Sequence, residues 1–150
     1  MKISYRFGFC ALMALSLAVR ADEAPKTIDA SDTAAVTAAK DTDVIVQGKV
    51  ALAEWSKSGK VCNITFENAP GFMAVAFAKT RKKLDEAFGG DFAKQLTGAT
   101  VKVSGKLGEY KGYDKQYKDA MQLIIKDTSQ VTVVTPATQP TTQPTTQAAG

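Results

Sequence analysis

The stretch VQGKV at residues 46–50 returns as VSGKL at residues 103–107, with a valine, a glycine and a lysine at the same spacing. Both copies lie in segments where apolar and polar residues alternate, which is typical of half-buried strands. Glycine in mid-strand costs stability, but it helps a strand to coil from one side of a small barrel to the other. The repeat therefore favours a closed barrel whose first and fourth strands pair. The alternative is an open sheet in which each glycine only eases packing.

The alternation extends from these two segments to the rest of the chain. In the first strand, Asp43–Trp55, the apolar positions that share the inward face are Val44, Val46, Val50 and Leu52. Further strands are predicted at residues 60–67, 72–78, 99–110 and 121–126, followed by a closing strand at residues 131–134. The strand at residues 72–78 is apolar on both faces, so we expect it to be central in the sheet.

Two helices are predicted outside the strands. Ser31 can cap a short, alanine-rich helix that extends through Lys40. Thr80 can cap a second helix over residues 80–88, which a glycine pair then ends. The expected fold is therefore mainly β, a five-stranded Greek-key barrel with a helix between strands three and four and a short N-terminal helix.

The two ends of the chain differ in composition from its middle. Residues 1–21 have a basic start, an apolar run of about a dozen residues and small residues near a cleavage point, as a secretory signal peptide does. The run is shorter than the roughly 20 apolar residues that span a bilayer, although an uncleaved anchor is the alternative. Residues 135–150 repeat TQPT without charge or large apolar side chains, which predicts a disordered tail. The domain is expected to cover residues 22–134.

Signal cleavage changes what the charge implies. The chain has 19 basic and 15 acidic residues, and Lys2, Arg6 and Arg20 are the charged residues of the signal segment. Residues 22–150 therefore carry a net charge of +1. The overall charge gives no argument for a nucleic-acid partner, so such an argument depends on where the charges lie.

The residue types present argue against catalysis. The chain has no histidine, which removes Ser-His triads, Cys-His dyads and the commonest zinc ligands. After signal cleavage Cys62 is the one remaining cysteine, so no internal disulfide can form. Cys62 is in phase with inward apolar residues and is expected to be a buried small hydrophobe. We therefore expect no catalytic residues, no metal site and no cofactor.

The order of strands, glycines and helix resembles the OB-fold. More closely, it is similar to small secreted bacterial proteins with OB-fold nucleic-acid-binding domains, related to the tRNA-anticodon-binding type. The resemblance covers residues 27–134, and the segments that carry it are VIVQGKV, SKSGKVCNITFEN, FMAVAF, GATVKVSGKLGEYKG and IIKDTSQVTVV. The segment 114–120 is longer than the usual hairpin at that place in the fold.

The resemblance implies a ligand across strands two and three, with the loops between strands one and two and between strands four and five closing over it. Those loops hold tryptophan, tyrosine and lysine, which could stack on bases at about 1–3 kcal/mol each and neutralise phosphates. The candidate nucleic-acid-binding residues are Trp55, Lys57, Lys60, Tyr110, Lys111, Tyr113, Lys115, Tyr117 and Lys118. Alternatively, the tyrosines and lysines only stabilise an exposed hairpin, and the tryptophan caps the barrel as part of the core.

Two functional hypotheses follow for a periplasmic or secreted, monomeric protein. The first is a non-enzymatic binding module for single-stranded nucleic acid or another extended anionic ligand. The second is an envelope interaction protein that uses the barrel to bind a protein or an oligosaccharide. The basic run KTRKK at residues 79–83 is interpreted as a solvated helix face, because Asp85 and Glu86 lie four residues after Arg81 and Lys82, and a phosphate site is the alternative.

Overall fold

The computed structural model describes residues 24–112 and 115–137. Three helices are present in these ranges: α1 (Thr33–Ala38), α2 (Ala78–Ala87) and α3 (Phe92–Leu96). The strands are β1 (Thr27–Asp29), β2 (Asp43–Trp55), β3 (Val61–Phe66), β4 (Phe72–Phe77), β5 (Thr100–Glu109), β6 (Met121–Ile125) and β7 (Val131–Thr135). Single 3₁₀ turns occur at Lys115–Tyr117 and Thr128–Gln130. The predicted signal segment and the predicted tail beyond residue 137 lie outside the described residues.

Five of the strands form a closed barrel. Its order is β2-β3-β4-β6-β5, and pairing between β2 and β5 closes it. The β4–β6 pair is parallel, whereas the other barrel pairs are antiparallel. Two strands extend the sheet beyond the barrel, because β1 runs parallel to β2 and β7 runs antiparallel to β5. With α2 and α3 between β4 and β5, this is the predicted five-stranded OB-fold.

The two glycines of the repeat lie in the paired stretch of β2 and β5, near its opposite ends. Gly48 pairs with Val101, and Gly105 pairs with Val44. A Cβ atom at Gly48 would lie 2.7 Å from the Cβ of Ala30, closer than side chains can pack. Gly105 has a φ of +148°, which is sparsely populated by residues with a side chain. The barrel is closed as predicted, and each glycine also allows a close approach that a side chain would block.

The barrel interior follows the alternation with one exception. Val101, Val103 and Leu107 of β5 point inward and are fully buried. Leu52, however, is 47% exposed, and the prediction that it faces inward is wrong. The register shifts between Val50 and Leu52, so a bulge inverts the alternation and Ala53 takes the inward position.

Both predicted helix caps are wrong, the first by one residue and the second by three. The first helix is capped by Asp32, whose carboxylate accepts a hydrogen bond from the Ala35 amide, while the Ser31 hydroxyl donates to Asp29 instead. The second helix follows β4 directly at Ala78 without a side-chain cap. The Thr80 hydroxyl lies inside it and donates to the Phe77 carbonyl at 2.8 Å. No helix within the described ranges is long and apolar enough to cross a membrane.

Candidate functional site

The outward side chains of β3, β4 and β6 form one continuous face. The registers place Asn63 beside Val75, and Val75 beside Ile124. Val61 pairs with Phe77 at the end of this face where β4 leads into α2. Because successive residues of a strand point to opposite sides, the alternate residues of these strands fill the barrel interior. The outer face is therefore built by the same alternation that builds the core.

A groove with a volume of about 440 Å³ runs along this face, and we call it the outer groove. The chain following β5 supplies one wall, where the Tyr110 amide donates to the Ala120 carbonyl at 2.8 Å. The Tyr110 ring rests so closely on Gly112 that a Cβ atom there would collide with the phenol. The outer groove is lined by Val61, Asn63, Val75, Phe77, Tyr110, Lys111, Gly112 and Gln122.

The outward side chains of β4 are apolar, and two of them are almost fully covered. Met73 and Val75 are 1% and 4% exposed, yet neither belongs to the hydrophobic cluster inside the barrel. The prediction that the strand at residues 72–78 is central is confirmed, since β4 pairs with β3 on one side and with β6 on the other.

Two tyrosines pack together beside the outer groove. Tyr110 and Tyr117 meet edge to face, with ring centroids 5.7 Å apart.

Two carboxamides give the outer groove hydrogen-bonding capacity. The Gln122 Nε2 group donates to the Glu109 carbonyl at 3.1 Å, which orients the side chain and leaves its oxygen as an acceptor. For Asn63, no side-chain hydrogen bond is found with another residue of the described ranges. The half-exposed Asn63 amide can therefore donate and accept. Lys111 adds an exposed positive charge at the wall.

Trp55 lies apart from the outer groove. It pairs with the fully buried Cys62, and its half-buried ring packs against the core cluster. The Arg81 guanidinium covers the ring at 4.7 Å from the centroid, a cation–π arrangement. The indole Nε1 is buried, with no hydrogen-bond partner in the described part of the chain. The indole thus occupies the barrel end under α2 and is absent from the lining of the outer groove.

The structure brings together part of the candidate set from the sequence. Tyr110 and Lys111 line the outer groove, and Tyr117 contacts Tyr110. Exposed lysines are found in the loop between β5 and β6, at Lys115 and Lys118, and in the turn between β2 and β3, at Lys57 and Lys60. Tyr113 lies outside the described residues.

Six lining residues were not among the sequence candidates: Val61, Asn63, Val75, Phe77, Gly112 and Gln122. A signal for some of them was present, because the alternation in residues 60–67 turns Asn63 outward while Cys62 turns inward. The sequence offered no such signal for the residues of β4, since that strand is apolar on both faces. Its outward side chains could be identified only once its neighbours in the sheet were known.

A second concavity of about 480 Å³ lies on the other side of Gln122. Its charged side chains are two acids, Asp41 and Asp43, and two lysines, Lys106 and Lys126. No aromatic ring of the described residues lines it. Although it is slightly larger, its balanced charge and lack of rings make it a less specific binding surface than the outer groove.

The base of the β5–β6 loop is braced by an ion pair. Lys40, just after α1, donates to the carboxylate of Glu109 at the end of β5. The hydrogen bond and the lysine charge lower the pKa of Glu109, and the same hydrogen bond and the carboxylate charge raise the pKa of Lys40. Both groups are exposed, so the pair fixes the direction of the loop more than it stabilises the fold.

Cys62 and the paired charges of α2 have structural roles. Burial raises the pKa of the Cys62 thiol to about 12, so the thiol stays neutral inside the barrel, as expected for a small hydrophobe. The predicted ion pairs on α2 are present, between Arg81 and Asp85 at 3.5 Å and between Lys82 and Glu86 at 3.8 Å. In residues 24–112 and 115–137, no three His, Cys, Asp or Glu side chains are grouped as metal ligands.

Comparison with known structures supports the fold. The chain is similar to a crystal structure assigned as an aspartyl-tRNA synthetase from Leishmania major Friedlin, with a TM-score of 0.54 and 14% identity over 81% of this chain. It is also similar to an aspartyl-tRNA synthetase from Entamoeba histolytica, with a TM-score of 0.46 and 12% identity over 69% of this chain. The chain spans 23% and 20% of those proteins. No protein-family model and no curated protein matches the sequence. The first likeness agrees with the OB-fold assigned from the strand order.

Proposed function

We propose that this protein is an exported, non-enzymatic OB-fold module that binds single-stranded nucleic acid along the outer groove. The observation that carries the proposal is the composition of that groove. Two aromatic rings, Phe77 and Tyr110, two carboxamides, Asn63 and Gln122, and the Lys111 cation line one concave face. Export rests on the signal-like pattern of residues 1–21, and the absence of histidine supports a role without catalysis.

Each type of group matches one part of a single strand. Aromatic rings stack on bases at about 1–3 kcal/mol per base, with little dependence on sequence. Carboxamides such as Asn63 and Gln122 can bond the edges of unpaired bases, which a duplex would hide. Lysines supply charge for the phosphates, and Lys111, Lys115 and Lys118 lie on the loop that borders the groove.

Two likenesses support this choice among the many functions that OB-folds carry. The sequence resembles the tRNA-anticodon-binding type of OB-fold. The first similar structure is named as an aspartyl-tRNA synthetase. At 14% identity that likeness supports the fold, and the nucleic-acid ligand is our inference from the groove.

Salt dependence tests the proposal. If Lys111, Lys115 and Lys118 each neutralise one phosphate, the logarithm of the association constant should fall against that of the salt concentration with a slope of about −2. Raising salt from about 50 to 200 mM would then weaken binding roughly fifteenfold. Fluorescence anisotropy with labelled oligothymidylate and oligouridylate of about 5 residues, which fill the groove alone, measures this slope. Affinity that does not change with salt, or no measurable binding of either oligomer, would contradict the proposal.

An oligosaccharide is the second candidate ligand. It is favoured by one observation, that Lys111 is the one cation among the described residues that line the outer groove. Aromatic rings and carboxamides also suit sugars, which OB-folds bind on the same face. Binding of a neutral oligosaccharide with no salt dependence, together with no binding of oligonucleotides, would select this candidate. An envelope protein as the partner would be selected by its capture in an extract treated with nuclease.

A further inference from the structure

One end of the outer groove opens directly onto the start of α2. Val61 and Phe77 face each other there and line the groove. The residues on either side continue this pairing, because the Ala78 amide donates to the Lys60 carbonyl at 2.9 Å. The backbones of Lys60 and Lys79 are therefore neighbours at this end of the groove, with Lys60 at the end of the β2–β3 turn and Lys79 in the first turn of α2.

The lysines at this end differ in pairing from Arg81 and Lys82 of α2. Lys57, Lys60 and Lys79 are exposed, and within residues 24–112 and 115–137 none of them forms an ion pair. Arg81 and Lys82 pair with acids one helical turn further on. Exposed lysines without a carboxylate partner keep their full charge for an anionic ligand.

The neighbouring charges also favour one exit path from the groove. Glu54 of β2 is exposed and is the cross-strand neighbour of Asn63, so it places a negative charge on the β2 side. A phosphate chain would be repelled from that side and attracted towards Lys60 and Lys79.

We propose that Lys60 and Lys79, assisted by Lys57, form a second binding site, the basic shelf, for the phosphodiester backbone of a strand that leaves the outer groove. This inference rests on the proposed function and extends it, because it assigns to the start of α2 a part in binding. It predicts a longer footprint than the groove alone. An oligonucleotide of about 5 residues should fill the groove, whereas one of about 12 residues should also reach the basic shelf.

The test compares the double variant Lys60→Gln, Lys79→Gln with the wild type on both lengths of oligothymidylate. For the long oligomer, we expect the magnitude of the salt slope to fall by about 1.4, since each neutralised phosphate of a single strand contributes about 0.7. For the short oligomer, we expect the affinity and slope to stay unchanged. Lys82→Gln is the matched control, because Lys82 is equally exposed on α2 but is paired with Glu86. Thermal unfolding checks that each variant is folded.

Three results would overturn the basic shelf. The first is a long-oligomer slope that the double variant lowers no more than Lys82→Gln does. The second is an equal loss of affinity for the short and the long oligomer, which would place these lysines within the groove site. The third is equal affinity of the wild type for both lengths. In each case, binding of the short oligomer would leave the proposed function standing, whereas its failure to bind would remove both.

Discussion

Replacing Gly105 by alanine is expected to lower the free energy of unfolding by about 3 kcal/mol. The residue has a φ of +148°, and a Cβ atom there would lie 2.7 Å from Nε2 of Gln130 and 3.3 Å from Cδ2 of Leu123. The Gln130 amide donates to the Ser104 carbonyl at 2.8 Å, and its oxygen accepts from the Lys126 amide at 2.6 Å. The substitution would therefore strain the backbone and disturb the contacts that join β5, β6 and the turn before β7. Urea denaturation measures the change.

Gly108→Ala is the matched control for this prediction. Gly108 lies three residues further along the same strand, outside the positive-φ region, and a Cβ atom there would meet nothing within 4 Å. We expect its free energy of unfolding to change by less than about 0.5 kcal/mol. Equal effects of the two substitutions would mean that the pairing of β2 and β5 does not depend on glycine at position 105.

Removing the aromatic rings of the outer groove is expected to have the largest effect on binding. Phe77→Ala and Tyr110→Ala should each weaken the affinity for oligothymidylate by about tenfold or more, because a stacked base contributes about 1–3 kcal/mol. The two side chains are half-buried at the surface, outside the cluster that fills the barrel. The fold should therefore survive either substitution, which circular dichroism can confirm. Anisotropy titration at low salt gives the dissociation constants.

Trp55→Phe is the control that separates this groove from the site expected from the sequence. Arg81 already covers one face of the indole, and the ring packs against the core. We therefore expect the variant to bind oligothymidylate as the wild type does. A greater loss of affinity in Trp55→Phe than in Tyr110→Ala would return the indole to the binding site and count against the outer groove.

The barrel could be predicted from the sequence because each of its strands has a face that must be buried. A slip of one residue would turn that face to water, so the alternation of β3 and β5 specifies both the strands and their orientation. The repeated glycine also predicted that the sheet closes into a barrel, since Gly48 and Gly105 lie in the two strands whose pairing closes it. These are local signals, and the tertiary structure agrees with them.

The parts that could not be predicted depend on contacts between distant segments. The bulge that exposes Leu52 arises from the pairing of β2 with β3, and nothing in β2 alone marks it. The three-residue β1 is too short for an alternation and exists through its pairing with β2. The Ser31 hydroxyl is bonded to Asp29 and is therefore not available as a cap, which leaves Asp32 to cap the helix.

Some residues of the candidate site could be predicted from the sequence and others could not. Tyr110 and Lys111 could be identified because the loop that contains them is unusually rich in tyrosine and lysine. Phe77 and Val75 could not, because an outward apolar residue on β4 has the same sequence pattern as an inward one. From its position in the β2–β3 turn region, Trp55 is predicted to lie beside the tyrosines. The bulge in β2 turns its side chain inward instead, so the ring lies under α2.

Chemical-shift mapping is the most direct test of the central claim, which is that single-stranded nucleic acid lies along the outer groove. In a ¹⁵N-labelled protein titrated with oligothymidylate, we expect the side-chain amides of Asn63 and Gln122 and the backbone amides of Val61 and Phe77 to shift together as the groove fills. Residues of the β5–β7 pair, such as Lys102, lie on the other side of the barrel and should not move. Shifts confined to β5 and β7, with the two carboxamides unchanged, would contradict the account.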